Sequence, residues 1–232
     1  MTEDGMIIKL SGTRVYKPDY TINDEYLAYF AENMRGLRGD YRLGVVPGGG
    51  PFCREVIGAG KRLGLNSAQS DMLARYVLRL SCGLMIAALG NDAYPTPVDD
   101  IDTSRLAFDS GKIPVLTGNF PGQSSDNMAV QYAGYNGIRN LVKLTEVGAV
   151  YDRDPRKFED ARPLPRMTHQ ELIEMVQDDQ RTAGNSSVIF DLLGARGLVN
   201  NAIRLYLMRP DQLEMLPQLL KGEIQIGTVV GE

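Results

Sequence analysis

The chain has no tryptophan, one histidine and two cysteines in 232 residues. With His169, Cys53 and Cys82 as the whole stock, there is no Cys or His cluster from which to build a zinc site or a thiol centre. Both cysteines read as half-buried apolar residues. His169, in the run Met167-Thr168-His169-Gln170-Glu171, reads as part of a helix start, in a surface or capping role. Whatever the chain does, it does without histidine chemistry. Long apolar runs are also missing. The longest, residues 84–89, is six residues, against the ~18–20 needed to cross a bilayer. The opening MTEDGMIIKL is acidic where a signal peptide is basic. These features argue against membrane insertion and predict a cytoplasmic protein. A basic surplus is lacking too: 25 Lys and Arg against 29 Asp and Glu give a net charge of −4. That disfavours nucleic acid as a general partner and leaves room for one anionic small molecule in a locally basic pocket.

Short apolar runs alternating with helical patterns are what the chain does have. Residues 6–10, 43–46 and 113–117 are apolar and each leads into glycine; residues 141–144, 203–207 and 224–230 supply further strands. From Ser67 to Leu89 the positions Met72, Leu73, Tyr76, Val77, Leu80 and Leu84 recur at three- and four-residue spacing, predicting one buried helix face. Residues 91–102, 152–166 and 178–187 read as loops, broken by Pro95, Pro97, Pro155, Pro163 and Pro165 in the first two. Strand, glycine turn and helix in repetition predict an α/β fold, a three-layer αβα sandwich with a mostly parallel central sheet. There is no internal repeat and no long linker, so residues 1–232 form one domain with two lobes.

Glycines at strand ends let a backbone approach an anion, and the following helix offers unpaired N–H groups. Four loops meet that description: Ser11-Gly12, Pro47 to Gly50, Gly118-Asn119, and Pro121 to Ser125. Each alone is an ordinary tight turn; together they point to phosphate or another oxyanion at the carboxyl ends of the strands. Two common nucleotide motifs are absent. The nearest approach to a P-loop, at Gly60-Lys61, has Arg62 in place of the hydroxyl and Glu55 in place of the first glycine. The dinucleotide fingerprint fails because Gly48-Gly49-Gly50-Pro51-Phe52 runs into Cys53.

The segments Ile8-Lys9-Leu10-Ser11-Gly12, residues 45–54, residues 111–115, residues 118–126, Thr145 to Tyr151 with Asp154-Pro155, and residues 190–196 together resemble the amino-acid-kinase superfamily, most of all the archaeal-type uridylate kinases. The resemblance covers nearly the whole chain and implies roles by position. Lys9 and Arg196 would stabilise the transferring phosphoryl group, and Asp126 would orient these cations, or else cap the helix that follows. Ser11, Gly12, Gly49, Gly118, Asn119, Thr145, Tyr151, Asp154 and Pro155 would bind ATP, although Tyr151 is equally plausible as packing. Gly48, Gly49, Gly50, Arg54, Asp71, Pro121, Gly122, Gln123, Ser124 and Ser125 would bind the acceptor. Arg54 would clamp its phosphate, or be a solvated helix arginine. Asp71 would hold its ribose, or be a charge at a helix N-terminus.

The implied cofactors are ATP and Mg²⁺, with no metal site of the protein's own. The acceptor lobe is residues 1–140, the ATP lobe residues 141–232, and the assembly a homo-oligomer built from dimers, up to a hexamer. The implied reaction is phosphoryl transfer from ATP to a nucleoside monophosphate, UMP giving UDP. Alternatives are another phosphate, phosphonate or carboxylate acceptor, or a non-catalytic oxoanion-binding protein of the molybdenum-storage kind. Two positions depart from the family pattern. Gly148 stands where uridylate kinases carry an aspartate, and Arg196 where the archaeal type carries a lysine, with Leu192 and Gly194 replacing Pro and Ala nearby. Arginine keeps the charge but not the geometry.

Overall fold

The computed structural model describes residues 5–118, 124–181 and 189–231. The expected site residues Asn119, Pro121, Gly122 and Gln123 lie outside them. The strands are β1 (Gly5–Leu10), β2 (Arg42–Pro47), β3 (Asn140–Leu144), β4 (Val150–Tyr151), β5 (Pro163–Leu164), β6 (Arg166–Met167), β7 (Arg204–Met208) and β8 (Thr228–Val230). Six of them form the sheet β2-β1-β3-β7-β8-β6, in which only the β7–β8 pairing is antiparallel. β4 and β5 pair apart from it.

The apolar runs of β1, β2, β3 and β7 are continuous because both faces of each strand are covered. On one side Met6, Ile8, Leu10, Val142 and Leu144 pack under α1 (Asp24–Leu37) and α3 (Ser67–Leu89), with α2 (Gly50–Arg62) against α3. On the other, Ile7 and Leu141 pack under α4 (Ile101–Asp109), α5 (Ser125–Tyr135), α6 (His169–Arg181) and α7 (Leu192–Asn200). A last short helix, α8 (Leu216–Leu220), closes the α1 side. The expected three layers are present. Side chains alternate along a strand, so Lys9 and Lys143, two residues on from Ile7 and Leu141, also point to the α5–α7 layer.

Several expectations need correction. Residues 113–117 form bridges rather than a strand: Val45 donates to the Pro114 carbonyl at 3.0 Å and Leu116 to that of Val45 at 2.7 Å. Pro114 has no N–H to continue the ladder. The strand predicted over 224–230 shrinks to Thr228–Val230, and residues 178–181 of a predicted loop belong to α6. His169 does open α6, with Nε2 2.8 Å from the Ile203 carbonyl.

The largest correction concerns α3. A capping box of Asn66 and Gln69 starts it where expected, but its buried side is Val77, Ser81, Cys82, Met85 and Leu89. Met72, Tyr76 and Leu80 are 38%, 66% and 48% exposed. Of the predicted face Val77 is buried and Leu84 packs against the core, while Met72, Tyr76 and Leu80 belong to a second apolar stripe that the core leaves uncovered. By length and composition Ser67–Asp92 would also suffice to cross a membrane, although its longest unbroken apolar run is residues 84–89. It packs on α1 and α2, and its Arg79 pairs with Asp99 at 2.5 Å.

Candidate active site

Two of the glycine loops, Ser11-Gly12 and Pro47 to Gly50, meet at the carboxyl edge of β1 and β2. Ser11 caps a short 3₁₀ turn, Gly12–Arg14, and Gly48 donates its N–H to the Leu10 carbonyl at 3.0 Å. The contact is backbone to backbone. A Cβ on Gly12 would lie 2.0 Å from the Gly50 nitrogen, and one on Gly50 would lie 2.2 Å from the Gly12 carbonyl oxygen. Gly50 also has φ +56, a left-handed conformation that a side chain would strain. α2 therefore starts tight against the first loop, with Pro51 pre-set for its first turn. Gly49 is its N-cap and supplies no side-chain acceptor, so among the described residues no side chain caps that helix end.

Lys9 stands on β1 directly opposite Lys143 on β3 in the parallel register, and both reach Asp126 in the first turn of α5. Asp126 lies 3.3 Å from Lys9 and 2.5 Å from Lys143, and the three side chains are only 14%, 13% and 10% exposed for Lys9, Asp126 and Lys143. The N-cap of α5 is Ser124, whose hydroxyl accepts from Asn127. Asp126 is thus no cap and its carboxylate is given to the lysines. Burial acts to raise the Asp126 carboxyl, but Lys143 and Lys9 outweigh it and hold the group below the usual carboxylate value. Burial pulls Lys143 down to about 8, against the opposing pull of Asp126. Lys143 also donates to the Ile189 carbonyl and lies 5.0 Å from the centre of the Phe190 ring.

Asp191 links the neighbouring helix to the same edge. It caps α7, accepting from the Gly194 N–H at 2.8 Å, and takes the Ser124 hydroxyl at 2.5 Å. Gly194 permits that approach: a Cβ there would stand 2.8 Å from Phe190 and 3.3 Å from the Asn127 nitrogen. Arg196 is exposed in the second turn of α7. Among the described residues the ion-pair partners of Asp126 are Lys9 and Lys143, not Arg196. Lys143 was not anticipated from sequence. Its signal was there: Leu141-Val142-Lys143-Leu144 repeats the apolar-apolar-Lys-Leu ending of Ile7-Ile8-Lys9-Leu10.

Beyond the lysines a cavity of about 440 Å³ opens, lined by Ser11, Lys143, Thr145, Tyr151, Asp154 and Pro155 among others. Five of these six were expected at the ATP site. Tyr151 donates to the Val147 carbonyl at 3.4 Å. Asp154 is held below the usual carboxylate value by its hydrogen bond from Arg156. At the rim Glu146 takes a bidentate Arg14 at 3.0 and 2.8 Å and the Thr13 hydroxyl at 2.7 Å, tying the β1 loop to the β3 loop. The Gly148 departure acquires a physical reason. Gly148 has φ +74, and a Cβ would stand 2.3 Å from Cγ of Arg209. Arg209, held by Asp211 at 3.0 and 3.1 Å, fills the space beside the loop.

On the acceptor side Arg54 is exposed on α2 and Asp71 half-buried on α3. Asp71 lies in the second turn, beyond the capping box, so it is not a charge in the first turn of that helix. Cys53 contacts the Ala74 carbonyl at 4.0 Å, joining the two helices. Burial raises the Cys53 thiol, Arg54 lowers it and Asp71 raises it, so both charges flank one sulfur. Gly118 is half-buried at the end of the 113–117 segment, and Ser125 opens α5.

Comparison with known proteins names the class. The profile of the amino acid kinase family matches residues 5–206, and the chain belongs to that family. Within it the chain is 36% identical over 200 residues to the uridylate kinase of Haloarcula marismortui, covering 86% of each chain. To the uridylate kinase of Thermococcus kodakarensis it is 33% identical over 206 residues, covering 89% of this chain and 91% of that one. The crystal structure of the Archaeoglobus fulgidus uridylate kinase has the same fold, with a TM-score of 0.85 and 24% identity over 97% of this chain and 99% of that one.

Proposed function

We propose that the chain is an ATP-dependent kinase that phosphorylates a nucleoside monophosphate, UMP giving UDP. The observation that carries this reading is the buried Lys9–Asp126 pair at the sheet edge, between the glycine loops and the 440 Å³ cavity. The names of the relatives supply the acceptor. An oxygen of the UMP phosphate attacks the γ-phosphorus, the bond to the β–γ bridging oxygen breaks, and ADP leaves with the electron pair. The second pKa of a phosphate monoester is about 6, so the attacking oxygen is already ionised at neutral pH. No general base is needed, which suits a chain whose one histidine lies at the other end of the sheet.

The protein's part is positioning and charge. Lys9 meets the phosphoryl group as it transfers, and Asp126 fixes Lys9 in place. The N–H groups of Gly12 and Gly48 to Gly50 receive phosphate oxygens. Thr145, Tyr151, Asp154 and Pro155 face the rest of ATP, from the lobe of residues 141–232. Arg54 and Asp71 address the acceptor from the lobe of residues 1–140, with Ser124 and Ser125. Among the described residues no group of three or more His, Cys, Asp or Glu side chains forms a cage for a metal. Mg²⁺ would arrive on the phosphates of ATP, where it would neutralise their charge. The reading carries a cytoplasmic location with it, and a dimer-based assembly that covers Met72, Tyr76 and Leu80.

The test is ADP release from Mg-ATP with UMP, CMP, isopentenyl phosphate or no acceptor. UMP-dependent turnover well above the others supports the proposal. Turnover with another acceptor replaces UMP, and ATP binding without turnover on any acceptor overturns the kinase assignment.

A further inference from the structure

Phosphoryl transfer spreads negative charge over several oxygens, and one lysine covers only part of it. The resemblance places the second cation at Arg196, in the helix where archaeal-type uridylate kinases carry lysine. The structure leaves Arg196 exposed on α7 and outside the Asp126 cluster. A different cation occupies the expected kind of place. Lys143 is opposite Lys9 on the adjacent parallel strand, and neighbouring strands lie about 4.8 Å apart. Both side chains point to the same layer and share one carboxylate.

We propose that Lys143, not Arg196, is the second cation that holds the transferring phosphoryl group. The inference rests on the kinase reading. An ammonium has three donors. Lys143 gives one to Asp126 and one to the Ile189 carbonyl, which leaves one, and Lys143 lines the donor cavity beside Ser11 and Thr145. The fork Lys9–Asp126–Lys143 is assembled before substrate arrives, so no reorganisation is required at the moment of transfer. The bonds made and broken are those already given; Lys143 transfers no proton and serves as fixed charge.

Removal of Lys143 and of Arg196 should therefore differ sharply. In Lys143→Met, with wild-type circular dichroism and melting, kcat with ATP and UMP should fall about 10²–10³-fold. Arg196→Met should lose less than about threefold. Two results overturn the inference: Lys143→Met within about threefold of wild type, or Arg196→Met losing as much as Lys143→Met.

The pH profile separates this role from a merely structural one. The charged groups facing Lys143 are Asp126 from α5, Lys9 from β1 and Asp191 at the N-cap of α7. With Lys143 pulled down to about 8 by burial, its charge is lost as pH rises through that value, and kcat/KM for ATP falls with it. In Lys143→Arg the guanidinium stays charged, so that alkaline limb should move up by more than one pH unit. An unmoved limb overturns the proposal even where Lys143→Met fails to fold. If wild-type protein turns over no acceptor, the kinase reading is what fails. Mg-ATP affinity then decides the inference separately, with a roughly tenfold loss expected in Lys143→Met and none in Arg196→Met.

Discussion

The two edges of the central sheet are both basic, and they use their charge in opposite ways. At the amino-terminal edge Arg35, Arg38, Arg42 and Lys112 border a cavity of about 910 Å³. Arg35 donates to the Ala88 carbonyl at 2.9 Å, near the end of α3, and Arg38 to that of Gly111 at 3.0 Å, just past α4. Lys112 donates to the Asn91 carbonyl. Arg35 and Arg38 are also paired with Asp92 and remain 42% and 39% exposed. These are solvated cations satisfying the carbonyls that chain ends and turns leave open. At the carboxyl-terminal edge two lysines are taken out of water around a single aspartate. Burying such a cluster has a desolvation cost that stability alone rarely recovers, and shifted titration in a cleft is a mark of chemistry. On the proposed reading, positive charge alone does not mark the site in this fold; buried positive charge does.

The strongest test of that contrast is Lys9→Ala. Turnover should fall about 10²–10³-fold, the scale for losing one preorganised charge, while the melting temperature moves little because Asp126 keeps Lys143. Steady-state kinetics beside a melting curve would show it. Activity surviving the change would remove the carboxyl edge from the mechanism.

A smaller effect is expected one layer out, where Arg209 fills the space beside Gly148. Gly148→Asp alone should raise KM for ATP about tenfold, since its Cβ meets the Arg209 stem. KM for UMP should stay within a factor of two. Trimming the stem in Gly148→Asp/Arg209→Ala should recover part of the loss, a coupling of ~0.5–3 kcal/mol between touching residues. Strictly additive single and double variants would show that the two side chains do not share that space.

Gly148 and Lys143 illustrate what the residues disclose in one dimension. The central strands were legible because a strand covered on both faces must be continuously apolar. The glycine loops were legible because only glycine allows Gly12 and Gly50 to touch through their backbones. Lys9 and Asp126 were legible from the resemblance, and the structure brings them together. Lys143 was not, because a lysine near the end of an apolar run resembles any solvated strand end until β1–β3 register sets it opposite Lys9. Gly148 looked like a lost carboxylate, since nothing nearby in sequence shows Arg209, 61 positions later, against it. The buried side of α3 was misassigned only in part, at Met72, Tyr76 and Leu80, for a related reason. Periodicity marks apolar stripes without saying which one the sheet covers.

That second stripe supplies a prediction outside the site. If Met72, Tyr76 and Leu80 meet a second copy of the chain, Leu80→Glu should shift the mass measured by light scattering to that of the monomer. The isolated subunit should keep its secondary structure and most of its activity, because Leu80 lies outside the lysine cluster and more than two helical turns from Asp71 on α3. An unchanged oligomer would place the contact elsewhere, and a wild-type monomer would remove the assembly from the reading.

The smallest effect belongs to the far edge, and its smallness is what tests the contrast. Arg38→Ala deletes a cation as well connected as either lysine, bonded both to Asp92 and to the Gly111 carbonyl. Both bonds are open to water, so the loss should be at most ~1 kcal/mol of stability, a fall of about 2–4 °C in melting temperature for a domain of this size. Salt should reduce even that, because exposed pairs are screened. kcat and both KM values should stay at wild type. A drop in turnover comparable to that of Lys9→Ala would mean that the two basic edges are coupled through β1 and β2, and that burial is not what separates a working charge from a structural one.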